Sequence, residues 1–529
     1  MEPSITETQN RNFIAVGLVC TIVFIGLFFV LSDFVLDDSY ITYRYSQNLA
    51  DGHGLVWNVG DDPVEGFTSF LWVILNAGAI LCKIDPVVFS KAISLVASLV
   101  CIWMLVCIGR RLHWTLLLIF TSSLGFNAYN AFISTQGMET AIVCMLVTLL
   151  GYVGIRLMER RSFTAVFVWY VLAFLSALGR PDTAPFTFGV FVSLLAWMLY
   201  TRSWALLRKM LVMGVVFGVL GAVYMLLRYN YFGYLFPNAF YIKTHDSGGF
   251  LKAMSRGLNP YTAGFITSVM LPYLFIMAFL FGRDFNKGNF YKTVPIFVGC
   301  LLFGLFFQTV NPIQGFLGRF LMPCYSVFML AVVYCVKDFK SLDFKRAMPV
   351  LIIVLIIIVG WDMQLLNTAF DKKIVHSSID RVKVGKALAG TNGRLLTTES
   401  GAVPFYSGWN SIDSLGLNSE EISHHGFNIE VLRKYKPDMY MCLYKEIKSY
   451  SLPYGQNKPS FDYMLETGFT VVAATKKRHG IYHYYFLRSD YENFDEVAER
   501  LTSIDGVEYG DLNKIVKSKD IPVYQKRTK

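Results

Sequence analysis

The chain has 529 residues, of which 54% are hydrophobic, 16% aromatic and only 16% charged. This composition lies outside the range of an ordinary soluble domain and indicates a polytopic membrane protein. The net charge of +10 comes from short loops between apolar segments, since residues 364–529 hold 23 Lys and Arg against 20 Asp and Glu. Basic loops of this kind set membrane topology, so nucleic acid is not a predicted partner.

Eleven apolar runs are predicted to span the bilayer, because each is close to the length that a membrane helix needs. The first is interpreted as a retained helix and not a signal peptide, since no small-residue cleavage site follows it. The apolar run 67–80 is short and is predicted to lie at the membrane interface. The predicted spans are 13–31, 87–108, 115–132, 141–157, 163–178, 184–200, 210–227, 261–281, 294–310, 320–336 and 347–361.

Charge asymmetry then gives a topology. With a cytoplasmic N-terminus, the loops RR, MERR, TRSWALLRK, GRDFNKGNFYK and KDFKSLDFKR are all cytoplasmic. The first loop, 32–86, and the C-terminal region are then external. The sequence therefore predicts a membrane module at 1–363 and a soluble extracytoplasmic α/β domain at 364–529. The pieces RLLTTE, PDMYMCLY, FTVVAAT and YHYYFLR have the composition of its strands, and 493–502 has a helical pattern.

The first loop opens with two acidic residues, Asp37 and Asp38, about one turn past the first span. Desolvation and the neighbouring carboxylate both raise a carboxyl pKa, which suits a group that must accept and release a proton. The alternative is that an aspartate caps the following helix, SYITYRYSQNLA. We expect one of the two to cap and the other to react.

Other polar residues stand near predicted helix ends. Glu65, in PVEGFTSF, either forms a capping interaction or binds a sugar hydroxyl. Glu139, in STQGMET, complements the dipole of the helix that it precedes. Arg180 and Asp182 flank a proline in GRPDTAPF, where mutual pairing and substrate contact are both open.

Two isolated cations, Lys243 in PNAFYIK and Arg319 in GFLGRFLMP, stand at external helix ends among aromatic residues. Either residue alone is expected to reach toward lipid headgroups, whereas a lipid-phosphate donor needs a cation at this depth. His53 and the nine cysteines show no metal-ligand or CxxC spacing. No metal or cofactor is predicted, although carboxylates alone can bind a divalent cation, so this alternative stays open.

Several of these segments occur in the same order as in a known protein family. They are DDSYITYRYSQNLADGHGLVWN, VEGFTSFLW, TQGMET, GRPDTAPF, GYLFPNAFYIK, GRFLMPC and ESGAVPFYSGWNSIDSLGL. From Asp37 to about Leu417 the chain resembles the GT-C glycosyltransferases that use lipid-phosphate sugars, most closely the terminal arabinofuranosyltransferase type. The opening acidic motif together with VEGFTSFLW is specific for this family, whereas RPD or RFLMP alone would be weak evidence for it.

The resemblance implies a catalytic carboxylate in the first loop, a prenyl-phosphate sugar donor from the outer leaflet and an external glycan acceptor. By motif, Asp37 or Asp38 would be catalytic. The remaining candidates would bind substrate. Glu65, Arg180 and Asp182 would shape the sugar pocket. Lys243 and Arg319 would contact the donor phosphate, and Asp413 would reach the site from the C-terminal domain. Glu139 and Asn238 are the remaining two candidate substrate-binding residues.

The sequence thus predicts a multi-pass enzyme of the plasma (inner) membrane that passes a sugar, arabinofuranose on the closest resemblance, to a cell-envelope polysaccharide or glycolipid. Two other classes remain open. A transporter or flippase of lipid-linked sugars would share the lipid-facing helices but should carry charged sites near mid-membrane. A non-catalytic glycan-binding scaffold would leave the aspartate pair dispensable.

Overall fold

A computed structural model describes most of the chain. The described residues are 7–244, 263, 270–274, 286–309, 316–339, 352, 356, 359–360, 363–364, 367, 379–445, 447, 458–477, 480–517 and 522–524. For two predicted spans, 261–281 and 347–361, most residues lie outside the described ranges. The proposed domain boundary after 363 also lies in a sparsely described stretch, so it stays a prediction.

The described part of the membrane module is helical. Helices α1 to α13 cover Glu7–Val30, Asp37–Ala50, Phe70–Leu81, Pro86–Ile108, Trp114–Gly125, Ala128–Thr135, Thr140–Arg160, Phe163–Gly179, Ala184–Tyr200, Trp204–Phe232, Asn238–Thr244, Lys287–Thr309 and Met322–Val336. Short 3-10 segments, Pro181–Thr183 and Phe316–Leu321, precede α9 and α13. Within the described ranges eight helical segments are long and apolar enough to cross a membrane. The protein is therefore an integral membrane protein.

Most predicted spans match these helices closely, because a continuous apolar run must satisfy its backbone within one helix. The predicted span 115–132 corresponds to the apolar segment Trp114–Thr135, which is not one continuous helix as predicted but is divided into α5 and α6. The break lies at Phe126 and Asn127, and the Asn127 side chain accepts a hydrogen bond from the Asn130 amide at 2.7 Å. The run predicted at 67–80 is the 12-residue helix α3, which is too short to span a bilayer core.

The C-terminal domain, residues 379–524, contains a five-stranded sheet. Strands β1 to β5 are Arg394–Thr397, Asn410–Asp413, Met439–Tyr444, Phe469–Lys476 and Tyr482–Arg488. The spatial order is β2-β1-β3-β5-β4, in which β2, β1 and β3 run parallel and β5 is antiparallel to both β3 and β4. Helices α14 to α20 are Ile379–Leu388, Ala402–Ser407, Glu420–His425, Ile429–Tyr435, Lys458–Thr467, Phe494–Thr502 and Leu512–Ile515.

Buried apolar residues on both faces of this sheet form its core. Leu396, Tyr440 and Phe486 belong to one cluster, and Leu395, Met441 and Tyr485 belong to the other. The alternation follows from the two-residue period of a strand. The predicted α/β class is confirmed, and all four strands that the sequence indicated are present.

The first loop covers the β2 edge of the sheet. The Trp57 indole nitrogen donates to the Ser411 carbonyl at 2.9 Å, and the Asn58 side-chain oxygen accepts from the Ser411 amide at 2.9 Å. Arg44 is buried and donates to the carbonyls of Pro404 and Trp409 at 2.5 and 2.9 Å. Buried guanidinium hydrogen bonds of this kind fix the C-terminal domain against the first loop.

Candidate active site

A cavity of about 490 Å³ lies where the first loop, the membrane helices and the C-terminal domain meet. Its lining brings together residues that are far apart in sequence. Seven of the ten candidate residues line it: Asp37, Asp38, Glu139, Arg180, Asp182, Arg319 and Asp413.

The two adjacent aspartates have different environments. Asp37 is 8% exposed, and its two oxygens accept hydrogen bonds from the Gly401 and Ala402 amides, both at 3.0 Å. Asp38 is only partly buried and lines the cavity. The expectation that one aspartate caps its own helix is wrong, because α2 begins at Asp37 and Leu36 occupies the cap position. Asp37 instead binds the amides at the start of α15, where a carboxylate also complements the helix dipole.

Asp37 also begins a chain of charged groups that continues into the C-terminal domain. The Arg381 Nε lies 3.2 Å from the Asp37 Oδ1, and Arg381 also forms an ion pair with Glu399. Glu399 pairs in turn with His483 on β5. Arg381 and His483 are 1% and 0% exposed. Such burial is tolerated because each charged group in this series lies beside a group of opposite charge.

Burial and pairing move the pKa values of these groups in opposite directions. Burial raises the pKa of Asp37 to about 6, against the opposing effect of Arg381. For Glu399, burial is outweighed by Arg381 and His483, which hold its pKa well below the ordinary range. Burial lowers the pKa of His483 despite its acidic partner. Glu399 therefore stays ionised, whereas burial favours the protonated form of Asp37 more than in a free carboxyl group.

A second group of charges surrounds the ring of Phe320. Arg180 donates from Nε to the Asp182 Oδ1 at 3.1 Å and lies 3.9 Å from the Glu139 Oε1. The guanidinium carbons of Arg180 and Arg319 lie 4.6 and 4.9 Å from the Phe320 ring centroid. Cations placed against an aromatic face are stabilised by its quadrupole. The pairing of Arg180 with Asp182 that the sequence left open is therefore present, inside the cavity wall.

Glu65 and Asn238 lie beside the cavity and are not part of its described lining. Glu65 is 8% exposed and forms a two-pronged ion pair with Arg228, at 2.8 and 2.5 Å. Burial raises the pKa of Glu65, although Arg228 opposes this. Asn238 donates its backbone amide to the Glu65 carbonyl at 3.1 Å and its side chain to the Leu417 carbonyl at 3.2 Å. Both residues therefore hold the cavity wall together.

Asp413 ends β2 and lines the cavity from the C-terminal domain. Its carboxylate accepts from the Leu415 amide at 3.0 Å and from the Asn418 side chain at 3.0 Å. Burial raises its pKa to about 6, which these hydrogen bonds oppose. Lys243 lies in α11, and its side chain lies outside the described atoms. The neighbouring Ile242 lines the cavity.

Sequence reasoning missed Arg381, Glu399 and Ser400 as parts of the cavity lining, and Arg228 as the partner of Glu65. Glu399 and Ser400 stand at the start of the matching piece ESGAVPFYSGWNSIDSLGL, so this motif already contained a signal. Arg381 belongs to none of the motifs. Its role can be recognised only from the structure, in which α14 packs beside Asp37.

A family model described as "Domain of unknown function (DUF8728)" matches residues 373–496, within the C-terminal domain. No curated protein matches the chain. The crystal structure of ArnT from Cupriavidus metallidurans bound to undecaprenyl phosphate superposes with a TM-score of 0.55 at 13% identity, over 90% of this chain and 97% of ArnT. The apo structure of ArnT gives a TM-score of 0.54 at 14% identity, with the same coverage.

The chain has the GT-C fold. The similarity extends over nearly the whole of both chains, so it includes the membrane helices and the C-terminal domain. In this GT-C fold the cavity combines carboxylates, guanidinium groups and an apolar wall. Such an arrangement can hold an anionic group on a long apolar tail and present a carboxylate to a neighbouring hydroxyl.

Proposed function

We propose that the protein is a membrane glycosyltransferase that moves a sugar from a polyprenyl-phosphate donor to a cell-envelope glycan. The single observation that carries the proposal is the composition of the cavity at the domain junction. One cavity contains the Asp38 carboxylate, the Arg180 and Arg319 guanidinium groups and a set of large apolar side chains. The GT-C fold supports this reaction class, and the ArnT neighbour was crystallised with undecaprenyl phosphate.

The apolar and basic parts of the cavity suit the donor. Its aromatic wall is formed by Phe236, Phe240, Phe306, Phe307 and Phe320. Phe236 and Phe240 are 38% and 43% exposed, so both have accessible surface on which a lipid tail could pack. The Arg319 guanidinium beside this wall would offset the phosphate charge, and such an interaction strengthens as the phosphate departs with the full negative charge. Arg180, already paired with Asp182, would support the same region of the cavity.

The carboxylate that reacts is assigned to Asp38. Both oxygens of Asp37 are engaged by backbone amides and Arg381, whereas Asp38 lies at the cavity surface. Asp38 would accept the proton of the acceptor hydroxyl as the hydroxyl oxygen attacks the anomeric carbon. The bond from that carbon to the prenyl phosphate breaks, and the phosphate leaves with the electron pair. This is the inverting course; if configuration is retained, Asp38 would attack the sugar first as a nucleophile.

Arabinofuranose is the donor sugar that the sequence resemblance favours, and an envelope polysaccharide or glycolipid is the acceptor that it favours. The proposed site then faces the outer side of the plasma (inner) membrane, since the donor is expected to enter from the outer leaflet. These assignments rest on the motifs in the first loop and on the positions of the basic loops.

The test uses the purified full chain in lipid nanodiscs, supplied with a panel of radiolabelled polyprenyl-phosphate sugars and envelope glycans. We expect transfer from one donor class, and we expect Asp38→Asn to lower kcat by roughly 100-fold or more, as for loss of a general base. Asp62→Asn is the matched control, because Asp62 lies in the same loop and is exposed.

Thermal unfolding of each variant accompanies the assay, so that a loss of fold is distinguished from a loss of chemistry. Full activity of Asp38→Asn would overturn the assignment of Asp38. Absence of transfer from every donor by the wild type would overturn the proposed function itself.

A further inference from the structure

The C-terminal domain forms part of the cavity wall, and charged groups in that part of the wall contact the first loop. Arg381, from α14, is 1% exposed and lies between two carboxylates, Asp37 on α2 and Glu399 after β1. Both carboxylates and Arg381 itself line the cavity. The C-terminal domain therefore supplies part of the cavity wall.

Asp37 is held from three directions by this domain. The Gly401 amide donates to Oδ2 and the Ala402 amide donates to Oδ1, and Arg381 lies beside Oδ1. A Cβ atom on Gly401 would overlap the Asp37 carboxyl group, so the two backbones are in direct contact. The position of Asp37 is thus determined by residues more than 340 positions later in the chain.

Fixing Asp37 also fixes its neighbour. Asp37 and Asp38 are the first two residues of α2, where successive residues are rigidly related by the helical backbone. Asp38 has only its own side-chain torsions left once Asp37 is clamped. A catalytic group must be held close to its productive geometry, and the residues behind it usually do this.

We infer that Arg381 is a positioning residue for the proposed transfer, and that it acts by clamping Asp37 between the C-terminal domain and the first loop. This inference rests on the proposed function. It also gives a role to the domain that the family model leaves without a function, because Arg381 and Glu399 both lie within residues 373–496.

The clamp depends on charge, which separates it from a simple structural contact. The charged groups that face Asp37 are Asp38 on its own helix, Arg381 and Glu399. The groups that face Glu399 are Arg381 and His483, and Lys477, held at 2.6 Å by Asp380, acts on His483. Because one guanidinium serves two carboxylates, removing the charge of Glu399 leaves Arg381 to Asp37 alone.

This arrangement predicts shifts of opposite sign in two variants. The Asp37 carboxylate accepts two amide hydrogen bonds, and its protonated form cannot do so equally well. Activity is therefore expected to fall as the pH drops through the pKa of Asp37, about 6. Glu399 raises that pKa and Arg381 lowers it. Glu399→Gln should thus move the acidic limb of the pH–rate profile to lower pH by roughly one unit, and Arg381→Gln should move it upward by a similar amount.

The experiment measures kcat against pH in nanodiscs and, independently of activity, the infrared band of protonated carboxyl groups against pH. The Asp37 contribution is the part of the band that is absent in Asp37→Asn, which separates it from Asp413, acted on by Leu415, Asn418 and Ser400. We expect both readouts to shift downward together in Glu399→Gln, with the KM for the donor unchanged. Arg381→Lys should recover part of the kcat that Arg381→Gln loses.

Matched controls come from the same domain. Arg433 also pairs with two carboxylates, Glu430 at 2.7 Å and Glu466 at 2.8 Å, but it is exposed. Arg433→Gln and Glu466→Gln should therefore leave the profile and the band unchanged. Since Arg381→Gln leaves two carboxylates buried together and can prevent folding, Glu399→Gln decides the matter.

If Glu399→Gln lowers the unfolding temperature while both midpoints stay at the wild-type value, the contact is structural only and the inference is overturned. If the wild type transfers no sugar, the infrared midpoints still report whether the clamp exists. Failure of the proposed function and failure of the clamp are thereby distinguished.

Discussion

Adjacent residues of the same type can have unrelated roles, and the pair Asp37 and Asp38 shows why. The side chain of Asp37 turns to amides and a guanidinium of the C-terminal domain, whereas Asp38 faces the cavity. No local pattern separates the two residues, because the amides that bind Asp37 lie 364 and 365 positions away in sequence. The sequence indicates that this pair is important. Only the tertiary contacts distinguish Asp37, which binds the C-terminal domain, from Asp38, which faces the cavity.

At the same scale, the buried pair of Glu65 and Arg228 gives a stability prediction. Arg228→Met leaves the Glu65 carboxylate buried without its two-pronged partner, which typically costs about 3–5 kcal/mol. The double variant Glu65→Gln with Arg228→Met should recover part of this loss, because the uncompensated charge is gone. Thermal unfolding in detergent or nanodiscs measures both effects.

The same variants test the sugar-pocket role that the sequence resemblance implied for Glu65. Unchanged unfolding temperature together with a raised KM for the donor would show that Glu65 contacts substrate. A fall in stability with donor KM preserved in the surviving folded protein would show that the pair holds α10 to the first loop.

At the scale of elements, apolar runs predicted the described spans well because length and hydropathy alone determine whether a helix can cross a bilayer. The errors have local causes. The break between α5 and α6 depends on the cap formed by Asn127. Strand β2 was missed because three of its four residues, Asn410, Ser411 and Asp413, are of types more typical of turns than of strands. The site was predicted through its motifs, whereas Arg381 was not, since nothing in its own segment marks it.

The turn before α15 offers a test of how closely the elements must meet. Gly401→Ala places a Cβ against the Asp37 carboxyl group, and overpacking of this kind usually costs about 1–3 kcal/mol. We expect a lower unfolding temperature and a reduced kcat, since α15 must retreat from α2. The measurement is a parallel assay of transfer and thermal unfolding.

Gly78→Ala is the control for that substitution, because the added Cβ on α3 meets no atom within 4 Å. It should be neutral or stabilising by up to about 1 kcal/mol, as expected for alanine in a helix. Wild-type activity in Gly401→Ala would show that the contact with Asp37 tolerates displacement.

At the scale of the whole molecule, the arrangement of basic loops predicts which side of the membrane the cavity faces. A reporter enzyme that is active only outside the cytoplasm, fused after Lys529, should be active if the C-terminal domain is external. The same reporter inserted at Ser203, between α9 and α10, should be inactive.

An active reporter at Ser203 with an inactive one after Lys529 would reverse the topology. The cavity would then face the cytoplasm, and the proposed donor would have to enter from the inner leaflet. A cytoplasmic reporter with the opposite requirement, fused at the same two positions, serves as the control for expression.

The coverage of β2 by the first loop has a consequence for how the molecule is made. Trp57 and Arg44 are synthesised early, but their partners Ser411 and Pro404 lie 354 and 360 positions later. At a synthesis rate of roughly 5–20 residues per second, the loop waits about 20–70 s for these partners. Until then Arg44 and Trp57 lack these partners, and we expect proteases to cut the first loop more readily in the nascent chain than in the folded protein.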